Sequence, residues 1–591
     1  MPSAQTELRR DAGQAGSGAR RPSAEWLIII ACAAAACALR AYQLARPGYL
    51  FGVTEYDDGV LFGNALRLVN GVIPYRDFSV VQPPGSTLLI APAALLGKVA
   101  GTSAGLAASR LLTAGVDTAN VVLLGLLVRQ RGRVAVLIVC GGYAVYPDAI
   151  VAAHTFLLEP WLNLLCLIAA LAVFGGDRIG GNRRLGWGGV LLGFAVAVKL
   201  WALVPLGIAL VIVAVVTRRV RPAAVLAGGS ALGLGLPLLP FALLAPVALV
   251  RGVLIGQAVR DASTLINPVS RLADMAGARL LPSDVPQLAV VLAAVAVLAA
   301  CWAAAWLAAR RPSAGTRLPH QNHRPADAAL STDTSLSTDT SLSTAGLSTA
   351  GSPPTARRPV GARVGVGPGP SWALDCYALA CAAAVTAMFL LPQLYYTHYG
   401  SFDGPFLLLA LALPVGRVVG RLVAAGPTPR VRLVGSVAFA SALSLILAVL
   451  FVTRFHAEST EYVSPVPAAV DKLIPPGACV LSNDAASTVA ADRFDSNVPG
   501  CPGMVDSFGT LIAMTSGRPY GSAAVVRPVV ELWESDMAHA QYVWLTENTG
   551  GQMPWSTQLY TYFTSNFRLI GLAPHHWTVS GVPSPGIYIR T

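Results

Sequence analysis

Residues 49–85 read YLFGVTEYDDGVLFGNALRLVNGVIPYRDFSVVQPPG, and they follow the first long apolar segment of the chain. The stretch is unusually acidic for a segment that directly follows an apolar one, because Glu55, Asp57 and Asp58 lie within four positions. Apolar residues then recur at helical spacing over residues 59–69, which predicts an amphipathic helix on a membrane surface. Acids at a helix N-terminus are favoured by the helix dipole, and a single Asp there often only caps the helix. A capping role and a chemical role therefore both stay open.

The composition places the whole chain in the membrane class. Of its 591 residues, 54% are hydrophobic and 12% are charged, and the mean hydropathy is +0.59. A soluble domain carries about 25% charged residues. The net charge of +12 comes from arginines between apolar segments, as expected for the cytoplasmic loops of a membrane protein. We therefore expect the lipid bilayer as a partner and no nucleic acid.

The apolar segments predict a mainly α, polytopic protein with eleven transmembrane helices. The predicted spans are 26–44, 106–128, 134–145, 156–174, 187–198, 201–216, 223–249, 288–309, 373–391, 405–422 and 433–452. The segment 86–101 is short and follows two prolines, so we expect it to lie on the outer surface. All arginine-rich loops then fall on one side, which predicts a cytoplasmic N-terminus in a multi-pass protein of the cell membrane.

The predicted spans and their orientation divide the chain into five regions. They are a disordered cytoplasmic N-terminus (1–25), a transmembrane catalytic module (26–309, with its first outer loop at 45–105), a disordered cytoplasmic linker (310–371), further transmembrane helices (372–453) and an extracytoplasmic tail (454–591). The linker contains a degenerate repeat, LSTDTSLSTDTSLSTAG, which cannot bury a core.

The tail has ordinary polarity, and its alternating segments predict a small α/β domain. Strands are expected within 477–484 and 540–547, helices within 485–494 and 556–570, and a terminal hairpin from 575–581 and 586–591. Cys479 and Cys501 are the only cysteines outside the apolar segments. On an oxidising face of the membrane they are a reasonable disulfide pair.

The opening stretch resembles the first outer loop of the GT-C glycosyltransferases. In that loop a pair of acids opens a surface helix, a G-x-x-x-Y-x-D turn follows, and Pro-Pro begins another surface helix. Here these elements are Asp57-Asp58, residues 71–77 and Pro83-Pro84. The family pair is usually Asp-Glu, so the second acid departs from the pattern. The family includes protein O-mannosyltransferases and the aminoarabinose transferases of lipid A, which use polyprenyl-phosphate sugars.

The resemblance implies an inverting transfer of a sugar from a polyprenyl-phosphate donor to a hydroxyl of an envelope glycan, lipid or protein. Mannose and arabinofuranose are the sugars expected, because the Ala-, Gly- and Arg-rich composition is like that of actinobacteria, whose envelopes use both. The reaction needs a general base, and the candidates are Asp57, which takes the first position of the family pair, and Asp58. Glu159 is preferred to Asp148 as the further acid. Asp58 and Glu159 are also the candidate ligands of a divalent Mg or Mn ion.

Cations are needed beside the departing phosphate. The candidates are Arg76, Lys199 and His398. A lysine that only snorkels to the interface is the equal alternative for Lys199, and an interfacial aromatic belt is the alternative for the turn that carries His398. The expected substrate contacts are Glu55, Asp77, His154 and Tyr396.

Two other functions fit parts of the pattern. A membrane transporter would use Lys199 and Glu159 as ion or substrate ligands. The two halves of the sequence show no internal repeat, however, and such repeats are common in transporters. A non-catalytic envelope assembly protein would explain the tail but not the acids.

Overall fold

The computed structural model describes residues 23–176, 178–256, 266–282, 284–310, 372–391, 395–425, 429–460, 470–516, 522–547, 552–571 and 581–591. Within these ranges eight helices are long and apolar enough to cross a membrane, and a pair bent by 51° would make a ninth. The protein is therefore a mainly α, multi-pass membrane protein. The linker and most of the N-terminal segment lie outside the described residues.

Among the described residues, the membrane part contains sixteen α-helices. They are α1 Ala24–Ala45, α2 Tyr56–Val69, α3 Pro84–Ala100, α4 Thr102–Val128, α5 Arg133–Ala144, α6 Pro147–Ala153, α7 Glu159–Phe174, α8 Asn182–Val198, α9 Leu203–Thr217, α10 Val220–Leu244, α11 Pro246–Val250, α12 Pro268–Met275, α13 Gln287–Arg310, α14 Trp372–Leu390, α15 Gly400–Ala425 and α16 Pro429–Thr460. Each of the eleven predicted spans overlaps at least one of these helices, and the predicted span 223–249 covers two of them, α10 and α11. Helices α7 and α8 are not among the eight, and α5 and α6 form the bent pair, so the count of eleven stays a prediction.

The helix pair α8 and α10 is packed unusually closely. A Cβ atom on Gly189 or Gly193 of α8 would collide with the backbone of α10. Small residues allow this approach inside a membrane, where packing rather than the hydrophobic effect holds helices together. The pair is a rigid support for Lys199, which follows the last residue of α8.

Basic side chains pair with acids from distant segments of the chain at one end of the helix bundle. Arg133 at the start of α5 forms an ion pair with Glu25 of α1 at 3.3 Å. Arg131 and Arg417 both pair with Asp375 near the start of α14. The predicted cytoplasmic loop 129–133, which carries Arg131 and Arg133, thus lies at the end of the bundle where α1 begins and where Arg417 of α15 is placed.

In its described segments, the tail contains five α-helices and four strands. They are α17 Val470–Leu473, β1 Val480–Ser482, α18 Ala485–Ala490, α19 Ser507–Met514, α20 Ala523–His539, β2 Tyr542–Leu545, α21 Thr557–Asn566, β3 Phe567–Gly571 and β4 Gly586–Arg590. The strand order is β1-β2-β4-β3, with β1 parallel to β2 and the other pairs antiparallel. Cys479 and Cys501 are joined by a disulfide bond, the pair that the sequence suggested.

One prediction for the tail was wrong at its C-terminal end. The helix expected over 556–570 stops at Asn566, because the following residues pair with β4 as strand β3. In the described sheet, β4 pairs with β2 and β3. Residues 575–580, its expected hairpin partner, lie outside the described residues.

The tail is not a separate body beside the membrane helices. Ala485, Val489, Phe494 and Val505 belong to the same buried apolar cluster as the helix bundle. In addition, the Asp492 carboxylate accepts hydrogen bonds from the backbone N–H of Ser103 and from the hydroxyls at the start of α4. The tail is therefore docked on α2 and α4 by both apolar and polar contacts.

Gly59→Ala is expected to loosen this docking. A Cβ at this position of α2 would overlap the backbone of Ala486 in α18, and overpacking of this kind costs about 1–3 kcal/mol. Thermal unfolding in mild detergent and limited proteolysis of the tail would measure the loss. Gly115→Ala in α4 is the matched control, since nothing lies within 4 Å of its added Cβ. Equal protease resistance of both variants would mean that α18 does not need the close approach.

Candidate functional site

One pocket brings four of the candidate residues together where the tail meets the helix bundle. It contains about 490 Å³ of space, part of it open to solvent. Its polar lining residues are Tyr56, Asp57, Asn64, Gln82, Glu159, Lys199, His398 and Asp506. These come from the acid-rich loop, three further helix ends and the tail, so chain segments far apart in sequence build one site.

Helix α2 presents its two acids to different surroundings. Glu55 is the N-cap residue, with an extended backbone. Asp57 is half-buried and lines the pocket together with Val60 and Asn64, as the helical repeat of 3.6 residues allows. Asp58 comes about 100° further round the helix and is fully buried. The structure thus gives different surroundings to two acids between which the sequence left the choice of base open.

Asp58 belongs to a buried ion pair that shapes the acid-rich loop. Arg110 of α4 donates to its Oδ2 atom from Nη2 at 2.6 Å, and neither side chain is exposed. The hydroxyls of Thr54 and Thr155 donate to the same carboxylate. Arg110 Nη1 also donates to three loop carbonyls, those of Tyr49, Leu50 and Gly52. Asp58 is thus a structural counter-charge.

The expected metal site does not fit these surroundings. Asp58 is bound to Arg110, whereas Glu159 is bound to Lys199. Among the described residues, no group of three or more His, Cys, Asp or Glu side chains could hold a metal ion. The donor set proposed from sequence, Asp58 with Glu159, is therefore not supported.

Glu159 and Lys199 form the second charged pair of the site, and both line the pocket. Glu159 opens α7, and its Oε1 atom accepts from Lys199 Nζ at 2.6 Å. The ammonium group also lies 3.5 Å from the ring centre of Trp201 and 4.9 Å from that of Tyr399. An ammonium held over aromatic rings is attracted by their electron-rich faces. Lys199 is therefore held at the pocket, and it does not snorkel away from it.

His398 lies in a short 3-10 helix, Thr397–Tyr399, just before α15. It is buried, at 5% exposure, and lines the same pocket as Lys199. Tyr396 stacks on its ring with centroids 5.6 Å apart but is not among the pocket-lining residues. The structure thus gives Tyr396 a contact with His398 rather than with the pocket.

The tail supplies Asp506, and Tyr56 joins it to α2. The Tyr56 hydroxyl donates to Asp506 Oδ1 at 2.9 Å, and the backbone N–H of Phe508 donates to the Tyr56 oxygen. Burial, and then the nearby Asp506 charge, raise the pKa of Tyr56 well above its usual value. Tyr56 therefore stays protonated and keeps this link at neutral pH.

Several residues predicted for the site lie elsewhere. Arg76 and Asp77 form an exposed ion pair with each other at 2.7 Å, and neither lines the pocket. The predicted phosphate contact of Arg76 and substrate contact of Asp77 are therefore not supported. His154 is buried against Gln43 at 3.2 Å and also lies outside the pocket lining, as do Glu55 and Asp148.

Sequence reasoning missed five residues of this region: Tyr56, Asn64, Gln82, Arg110 and Asp506. Two of them left a signal. Arg110 is a cation inside a predicted span, where a partner acid is expected, and Asn64 is a polar residue seven positions after Asp57, on the same helical face. Tyr56 and Asp506 left no signal in the sequence, because the hydrogen bond between them depends on how the tail packs against α2.

The arrangement of side chains around the pocket indicates what the site can do. No protein-family model matches the chain, and no curated protein matches it significantly. What can be read at the pocket is a half-buried carboxylate, a lysine paired with a glutamate, a histidine and a carboxylate from the tail.

Proposed function

We propose that this protein is an inverting glycosyltransferase that moves a sugar from a polyprenyl-phosphate donor to a hydroxyl acceptor of the cell envelope. The observation that carries the proposal is the pocket, where Asp57 shares one cavity with Lys199 and His398. A base and cations in one cavity at the end of a membrane bundle suit a lipid-linked substrate. The resemblance of the first loop to the GT-C family points the same way.

Lys199 and His398 are the proposed contacts of the donor phosphate. Lys199 follows the end of α8 and His398 precedes α15, so both lie at ends of predicted spans. A polyprenyl-phosphate donor keeps its lipid in the bilayer and its phosphate at the headgroup level. Cations at that depth stabilise the charge that develops on the phosphate as the sugar leaves.

Asp57 is the proposed general base. It takes the proton of the acceptor hydroxyl while the hydroxyl oxygen attacks the anomeric carbon of the sugar. The bond from that carbon to the phosphate oxygen breaks, and polyprenyl phosphate leaves with the electron pair beside Lys199. Because the leaving phosphate needs no protonation, a second acid in the manner of a glycoside hydrolase is not required.

The proposal includes an orientation. The basic end of the bundle, with Arg131 and Arg133, faces the cytoplasm, because positive charge stays inside. The pocket lies among the segments assigned to the outer face, with eleven spans between the two faces and the tail as an extracytoplasmic α/β domain. Transfer would then occur on the outer face of the cell membrane, with mannose or arabinofuranose as the sugar.

The test is a transfer assay in proteoliposomes. Radiolabelled polyprenyl-phosphate mannose and polyprenyl-phosphate arabinofuranose are supplied in turn, with envelope extract from the source cells as acceptor. We expect label to pass from one donor to the acceptor, and no transfer in protein-free liposomes. Label that crosses sealed vesicles while still attached to its lipid would instead identify a transporter. If neither transfer nor transport is detected, a non-catalytic role in envelope assembly is the remaining explanation.

A further inference from the structure

Asn64 occupies an unusual place in helix α2. It is 1% exposed and lines the pocket, among apolar residues of a short helix. Asparagine is a poor helix former, and burial of its amide is costly unless both of its ends find hydrogen bonds. A Leu at this position would serve the helix better, so the amide needs another explanation.

The amide oxygen of Asn64 has no hydrogen-bond donor among the described residues. A buried acceptor without a donor costs about 1–3 kcal/mol, and native structures contain few of them. Several other buried polar atoms of this protein also lack partners. Of the residues that line the pocket, however, only Asn64 and Glu159 carry such an atom in the described part of the chain.

Glu159 supplies the second unsatisfied acceptor. Its Oε1 atom is held by Lys199, whereas its Oε2 atom is buried and has no donor among the described residues. Two buried acceptors without donors therefore belong to residues that line one cavity. A ligand that carries at least two hydroxyl groups would satisfy both of them.

We propose that Asn64 recognises a hydroxyl group of the bound sugar and, with Glu159 Oε2, sets the specificity of the pocket for that sugar. This inference rests on the proposed function, because the ligand is a lipid-linked sugar. A hydroxyl fits Asn64 in either orientation of the amide, since a hydroxyl both donates and accepts. Seven residues of helix separate Asn64 from Asp57, or roughly 10 Å along the axis, which is long enough for a sugar ring to lie between them.

The test compares donors that differ by a single hydroxyl group. Polyprenyl-phosphate mannose and arabinofuranose are each compared with their monodeoxy analogues, by donor-dependent thermal stabilisation of purified protein and by transfer rate. For wild-type protein we expect removal of one particular hydroxyl to weaken binding about 10-fold. Asn64→Leu should bind the parent sugar about 10-fold more weakly and show no further loss with that analogue. Asn70→Leu, at the exposed end of the same helix, should behave like wild type.

Two further variants keep the test decisive. Asn64→Asp retains an acceptor oxygen and should retain selectivity for the hydroxyl. Asn64→Ala, which adds no atoms, replaces the Leu variant if that protein does not accumulate.

Each outcome bears on a different statement. If the Asn64→Leu variant distinguishes each monodeoxy analogue from its parent sugar as strongly as wild type does, water alone satisfies the amide of Asn64 and the inference is wrong. If wild type selects one hydroxyl through Asn64 but transfers no sugar, the subsite stands and the transferase proposal fails. If wild type binds neither donor, both proposals are overturned.

Discussion

Asp57→Asn is expected to lower the rate of sugar transfer by about 10²–10⁴-fold, the range typical of an enzyme that loses its general base. The substitution keeps the size of the side chain but removes its basicity. Helix α2 should still form, since the lost interaction of one charge with the helix dipole is worth about 0.3–1 kcal/mol. Initial rates from radiolabelled donor, with equal amounts of inserted protein, would measure the effect.

Asp77→Asn is the control for this experiment. Asp77 belongs to the same loop, but its carboxylate pairs with Arg76 on an exposed turn, so transfer should stay near the wild-type rate. Wild-type transfer by Asp57→Asn would show that Asp57 only interacts with the dipole of α2, and the proposed reaction would lose its base.

The second large effect is expected at Arg110. Arg110→Met would leave the fully buried Asp58 without its counter-charge and three loop carbonyls without a donor. Breaking a buried ion pair in this way typically costs about 3–5 kcal/mol. We expect a lower yield of inserted protein and a lower unfolding temperature in mild detergent.

Two comparisons separate this effect from a general sensitivity to lost arginines. Arg76→Met removes an ion pair whose side chains are 47% and 31% exposed, and such pairs are worth at most about 1 kcal/mol. Adding Asp58→Asn to Arg110→Met removes the unpaired charge and should restore part of the stability. If Arg110→Met is as stable as wild type, the buried pair does not hold the loop.

Local sequence patterns predicted much of the helical fold and half of the polar residues that line the pocket. The periodicity over residues 59–69 predicted α2, and the structure adds one turn because Tyr56, Asp57 and Asp58 join its N-terminus. Polar residues beside apolar segments identified Glu159, Lys199 and His398, because a charge or an imidazole at the end of a predicted span is conspicuous. These are properties of short stretches of sequence.

The remaining features depend on contacts between distant segments. The sequence did not decide between Asp57 and Asp58 as the base, because Arg110, which pairs with Asp58, lies far from it in the chain. Strand β3 was predicted as helix because its own residues suit both states, and pairing with β4 decides between them. Asp506 has no local signal at all, since only the docked tail brings it to Tyr56.

The link between Tyr56 and Asp506 also has a consequence for biosynthesis. The two residues are 450 positions apart, and a ribosome adds about 5–20 residues each second. Roughly 20–90 s therefore pass between the synthesis of one partner and that of the other. During that interval the first loop has left the ribosome while the pocket still lacks one wall. A nascent chain would therefore carry an incomplete site until the segment around Asp506 is made and folds onto α2, and a chain truncated before Asp506 would never complete the site.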